Sequence, residues 1–134
     1  MRIIAAKITG NYFPFSVTLI ITHQCNYRCH YCDVFNGQEK EMTTGEIVLL
    51  IDDLVSLGCK RLSLNGGEPL LREDLGEIIS HARNRDLFVT LFTNGSLVSR
   101  HIEKIKDLDV ILISLDGPRD IHDGQRAPGS FDQV

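Results

Sequence analysis

Phe15-Ser16-Val17-Thr18-Leu19-Ile20-Ile21 runs without a charge into Thr22-His23-Gln24-Cys25-Asn26-Tyr27-Arg28-Cys29-His30-Tyr31-Cys32. The first seven residues are β-branched and apolar on both faces, as in a strand buried between a core and a helical layer. The loop that leaves this strand carries a Cys-x-x-x-Cys-x-x-Cys run. Disulfides between Cys25 and Cys29, or Cys29 and Cys32, would close very small, strained rings. The spacing therefore reads as metal ligation in a reducing compartment. A cubane iron–sulfur cluster has four irons, so a site supplying three cysteines leaves one iron open to a small molecule.

The same grammar repeats downstream. Thr43-Thr44-Gly45-Glu46 offers a capping box, and Ile47, Leu50, Ile51, Leu54, Val55 and Leu57 recur at helical spacing up to Gly58. Arg61-Leu62-Ser63-Leu64-Asn65 reads as a second strand, Leu75, Ile78, Ile79 and Ala82 mark a helix, and Leu87-Phe88-Val89-Thr90-Leu91-Phe92 reads as a third strand. A short helix over 101–105 leads to a fourth, Val110-Ile111-Leu112-Ile113-Ser114-Leu115. This alternation predicts an α/β fold with right-handed crossovers and parallel strands, in which sites gather at the carboxyl ends of the strands. Each polar motif follows a strand: the cysteines, then Gly66-Gly67-Glu68-Pro69, then Thr93-Asn94-Gly95, then Asp116-Gly117. They are expected on one rim.

Composition sets broad bounds. The 134 residues fit one domain, and at 43% hydrophobic and 24% charged the chain can build a core. A net charge of -4 with mixed signs argues against nucleic-acid binding driven by phosphate attraction. Lys7 interrupts the apolar stretch a signal peptide would need, and no segment reaches the roughly 18 apolar residues of a membrane span. These features predict a cytoplasmic protein with no membrane contact. Ser130-Phe131-Asp132-Gln133 reads as a capping box with only Val134 left to continue its helix. The expectation is thus the amino-terminal part of a longer barrel or sheet, with one exposed strand edge that invites self-association.

The Cys-x-x-x-Cys-x-aromatic-Cys form, with Tyr31 as the aromatic, together with Gly66-Gly67-Glu68-Pro69, resembles the radical S-adenosylmethionine (radical SAM) superfamily. Ser114-Leu115-Asp116-Gly117 and His122-Asp123-Gly124-Gln125-Arg126 are similar to its peptide-modifying (SPASM-type) and molybdopterin-biosynthesis-type branch. The resemblance implies the first four βα units of a partial (β/α)6 TIM-like barrel, spanning 1–134 and stopping before the fifth and sixth strands. It implies a [4Fe–4S] cluster on Cys25, Cys29 and Cys32, with the amino and carboxylate groups of S-adenosylmethionine on the fourth iron. It also implies a one-electron donor such as flavodoxin or ferredoxin, and a 5′-deoxyadenosyl radical that takes hydrogen from an unidentified substrate.

By the same resemblance, Gly66, Gly67 and Glu68 would hold the methionyl amine and Tyr31 would lie beside the adenine. By their place at the ends of the third and fourth strands, Asn94, Ser114 and Asp116 are candidates for the methionyl carboxylate and ribose hydroxyls, and Arg126 is a candidate to pair with the carboxylate. The residue types suit this. Glycines let a backbone approach a ligand, a carboxylate accepts from an ammonium, and Pro69 stiffens the turn.

Other readings stand beside these. Zinc with His23 or His30 as fourth ligand would make the cysteines the staple of a noncatalytic binding module. Thr93-Asn94-Gly95 is also a turn signal. Cys59 reads as a small buried residue. Asp52, Asp53, Glu73 and Asp74 read as solvated helix-face or capping charges.

Overall fold

A computed structural model describes residues 12–33 and 40–134. Four parallel strands, β1 (Ser16–Thr22), β2 (Arg61–Gly66), β3 (Phe88–Thr93) and β4 (Val110–Ile113), form a sheet in sequential order β1-β2-β3-β4. Helix α1 (Thr44–Ser56) crosses from β1 to β2, and α2 (Leu75–Asn84) from β2 to β3. The open α/β sheet predicted from the alternation is what forms.

Local chemistry sets the boundaries. Thr43 caps α1 and Glu46 returns the bond to the Thr43 N–H, completing the capping box. The helix ends where Gly58 adopts φ 102° and the Cys59 N–H bonds back to the Leu54 carbonyl. Ile47 and Ile51 of α1 and Leu75, Ile78, Ile79 and Ala82 of α2 pack on Ile21, Leu62, Leu64, Val89 and Leu91 of the sheet. Each fully buried Leu or Ile there contributes about 2 kcal/mol. Cys59 is buried in this core, as expected, with its thiol 3.3 Å from the Arg61 carbonyl.

Several expectations need correction. β1 is buried on one face only, because the helices cover one side of the sheet and Ser16, Thr18 and Ile20 alternate onto the other, where they are exposed. Among the described residues the sheet has two edge strands, β1 and β4, rather than one. The stretch 101–105 is not an α-helix: the β3–β4 crossover is made of short 3₁₀ turns, Val98–Arg100 and Ile102–Lys104. A further helix, α3 (Arg119–Gln125), follows β4. Ser130 caps nothing: its hydroxyl donates to Asp123, and Phe131–Gln133 is a single 3₁₀ turn folded back on α3. Lys7 and the start of the chain lie outside the described residues. Among the described residues no helix is long and apolar enough to cross a membrane.

Candidate functional site

The carboxyl ends of the strands converge on one pocket. Its wall includes Cys25, Cys29 and Cys32 from the loop after β1, Asn65, Gly66 and Gly67 from the end of β2, Phe92, Thr93 and Asn94 from β3, and Ser114 after β4. Arg126, just past α3, and Tyr27 and Tyr31 of the cysteine loop complete it. Nine of the twelve residues singled out from sequence therefore share this wall. Pro69, Glu68 and Asp116 are not on it, though each touches a residue that is or braces one.

The two pocket glycines also permit a close backbone approach within the chain itself. A Cβ on Gly67 would sit 2.2 Å from the Gln24 carbonyl oxygen, and one on Gly66 would sit 2.3 Å from that of Thr22. They let β2 press against the root of the cysteine loop, where the Gly67 N–H donates to the Thr22 carbonyl and the Glu68 N–H to that of Gln24. A register shift between Ile20 and Thr22 aims the end of β1 into this contact. Gly67→Ala is therefore expected to displace residues 23–25. The far-ultraviolet spectrum should be kept while iron and sulfide incorporation falls at least about tenfold, the size of effect a ~1.4 kcal/mol penalty on the assembled site produces. Normal incorporation would show that the backbone contact is dispensable.

Glu68 is fully buried and ties strand ends together. Its Oε1 accepts from the Leu70 N–H at 3.0 Å and the Thr93 hydroxyl at 2.8 Å, and its Oε2 accepts from the Asn94 N–H at 2.8 Å. Burial pushes its pKa up despite these three bonds. The groups that offset burial are all neutral donors, so a positive charge arriving in the pocket would stabilise the carboxylate strongly. Pro69 begins the 3₁₀ turn Pro69–Leu71 that Glu68 caps.

Asn94 is more than a turn former. Its amide donates to Asn26 Oδ1 at 2.8 Å, and its Oδ1 accepts from the Ser96 N–H and hydroxyl. It thereby braces the cysteine loop while its side chain also reaches Cys25. Tyr27, buried in the same loop, donates to Gln133 at 3.0 Å.

Beside the cysteine loop the wall is charged. Arg126 donates to both Asp116 oxygens, Nε to Oδ2 at 2.5 Å and Nη2 to Oδ1 at 3.1 Å. The Tyr31 hydroxyl leans on the same carboxylate at 3.3 Å, and the guanidinium lies 5.9 Å from the Tyr31 ring centroid. The Asp116 N–H donates to Nδ1 of the buried His122, which fixes the loop after β4. Bonding to Arg126 lowers the Asp116 pKa, so Asp116 stays anionic and orients Arg126. A carboxylate in that state repels another, so a ligand carboxylate would face Arg126 or Ser114.

Burial raises the Cys25 and Cys29 pKa, although Arg126 works against it at Cys29. Such thiols give up their protons when metal binds. Among the described residues no three His, Cys, Asp or Glu side chains gather as ligands of a single ion. The three cysteines share one wall with glycine backbone, which suits a polynuclear centre in which each thiolate would serve its own iron. The donor set thus fits a cluster better than the Cys₃His zinc alternative.

Tyr27, Asn65 and Phe92 were not among the residues expected from sequence; Thr93 was expected on the rim only as part of Thr93-Asn94-Gly95. Period-two alternation along β3 and position at a strand end were the available signals for Asn65 and Phe92.

Comparison with known proteins gives the same direction. Residues 19–134 match the Radical SAM superfamily. The chain is 39% identical over 107 residues to the "Probable GTP 3′,8-cyclase" of Methanococcus maripaludis, covering 75% of this chain and 36% of that one. It is 37% identical over 119 residues to the Fe-coproporphyrin III synthase of Methanosarcina barkeri, covering 84% and 30%. The chain therefore spans about a third of the length of these curated relatives. Streptococcus suis SuiB, solved bound to S-adenosylmethionine, shares the fold with a TM-score of 0.72 at 17% identity, over 93% of this chain and 30% of that one.

Proposed function

Because the chain belongs to the radical SAM superfamily, we propose that its pocket holds a [4Fe–4S] cluster on Cys25, Cys29 and Cys32 with S-adenosylmethionine beside it. Together with one electron from a small donor such as a flavodoxin or ferredoxin, they supply a reductive carbon–sulfur cleavage that yields methionine and a 5′-deoxyadenosyl radical for hydrogen abstraction.

The observation that carries this reading is the setting of the pocket: a wall of three thiols, glycine backbone and the Arg126 guanidinium, with the buried Glu68 carboxylate, compensated only by neutral donors, behind it. The protein's own part is placement. Glu68, behind Gly67, offers negative charge to the methionyl ammonium. Arg126, held by Asp116 and Tyr31, faces the methionyl carboxylate together with Ser114. Tyr31 and Phe92 offer apolar surface to the adenosyl group, and Asn94 keeps the cysteine loop in register. The four-strand sheet is the amino-terminal part of a partial barrel, and substrate recognition is assigned to no residue here.

The test is turnover. Anaerobic protein reconstituted with iron and sulfide, then given S-adenosylmethionine and dithionite, is expected to release 5′-deoxyadenosine and methionine. Reconstituted protein that releases neither, and leaves S-adenosylmethionine unbound in equilibrium dialysis, would contradict the reading.

A further inference from the structure

We propose that Arg72 and Glu41, neither of them on the pocket wall, are positioning residues that clamp the neck of the cysteine loop and set how firmly a cluster is retained. The inference rests on the cluster reading above and adds residues that reading does not use.

The geometry is that of a staple. All three cysteines lie in the stretch that leaves β1 at Thr22 and returns at Glu41. Glu41 Oε1 accepts from the Thr22 hydroxyl at 2.7 Å and the His23 N–H at 2.7 Å, fixing the end of β1 to the segment that leads into α1. The Thr22 hydroxyl in turn accepts from the Gln24 N–H at 3.1 Å, one residue before Cys25.

Arg72 joins both sides from beneath. Its Nη1 donates to the Ile21 carbonyl at 2.7 Å, on the outgoing side, and to the Met42 carbonyl at 3.1 Å, on the returning side. The same nitrogen lies 3.9 Å from Glu41 Oε2. Asp74 holds the guanidinium by its other edge, at 2.8 Å to Nε and 2.6 Å to Nη2, and accepts from the Thr44 hydroxyl at 2.6 Å. Arg72 is 11% exposed, so water competes little for these bonds.

A planar five-donor group is what such a junction requires. Lysine keeps the charge but cannot span two carbonyls and a carboxylate at once. The loop's own cysteines are too near one another to define the neck, and the neck fixes where Cys25 begins. Opening it would let the thiolates drift from a shared cluster without disturbing the sheet core. Hence the expected effect falls on retention rather than on folding.

Arg72→Lys and Glu41→Gln, with Asp52→Asn as control, separate these roles. Asp52 bonds His81 and Arg85 on the outer helices, away from the pocket. Two readings are taken. One is amide hydrogen exchange at residues 22–24 in the metal-free chain. The other is the rate at which a ferrous chelator strips iron from reconstituted protein. Both clamp variants should speed exchange and stripping at least about tenfold relative to the control, once compared at equal metal-free thermal stability. Exchange and stripping that match the control would overturn the inference while leaving the cluster reading intact. A parent chain that takes up no cluster would overturn that reading instead, and the exchange result would still decide whether Arg72 and Glu41 close the neck.

Discussion

Changing Cys25, Cys29 or Cys32 singly to alanine is expected to abolish stable cluster assembly. Iron and sulfide content should fall to background, and the broad visible absorption of reconstituted protein should be lost. The three thiols share one pocket wall, and each lies within electrostatic range of another, since neighbouring thiolates raise the Cys25 and Cys29 pKa. A cubane left with two protein ligands has two open irons, which solvent and oxygen attack. Cys59→Ala is the control. That thiol is buried in the helix–sheet core, far from any ligand role, and its loss should cost about 1 kcal/mol of stability with cluster content unchanged. Full cluster content in any of the three pocket variants would remove that cysteine from the ligand set.

The second large effect is at Glu68. Glu68→Ala orphans the Leu70 and Asn94 N–H groups and the Thr93 hydroxyl in a buried site. The expected destabilisation is about 3 kcal/mol, read from denaturant unfolding of the metal-free chain. Glu68→Gln keeps the shape and two of the three bonds, and should cost about 1 kcal/mol. It also removes the charge meant for a ligand ammonium, so S-adenosylmethionine binding should weaken at least about tenfold while the fold survives.

The parent and Glu68→Gln also separate by pH. Burial raises the folded pKa of Glu68 above its unfolded value, so the group's stabilising contribution is fully present below the unfolded pKa. It is lost as pH rises through the raised folded value. Subtracting Glu68→Gln from the parent isolates this slope from Asp74 and Asp116, whose lowered pKa values act in the opposite sense. A parent-minus-variant difference that is flat with pH would mean Glu68 is not held in the unfavourable setting described.

Much of this was legible beforehand because the signals were local. Strands β1 to β4 announce themselves by β-branched runs, and Thr43 with Glu46 gives the start of α1 outright. The pocket was legible because motifs placed after successive parallel strands must meet on one rim.

What stayed hidden depends on pairing across long sequence distances. Nothing local marks Arg72 as the partner of Ile21 and Met42, and Asp74, expected as a solvated helix-face or capping charge, stands at the N-cap position of α2 with its carboxylate anchoring that same guanidinium. Asp52 likewise bridges His81 and Arg85 instead of standing free in solvent. Helix α3 escaped notice because Arg119–Gln125 buries only His122, so it shows no apolar periodicity. The glycines were recognised as allowing a close backbone approach, but their packing on Thr22 and Gln24 stayed hidden because it is set by a strand register that sequence does not display.

The most direct measurement is electron paramagnetic resonance of the reduced, reconstituted protein with and without S-adenosylmethionine. A reduced [4Fe–4S] signal is expected whose g-values shift on adding S-adenosylmethionine, as they would if the iron without a cysteine took the ligand. A signal identical in both samples, or stoichiometric zinc with no cluster, would contradict it.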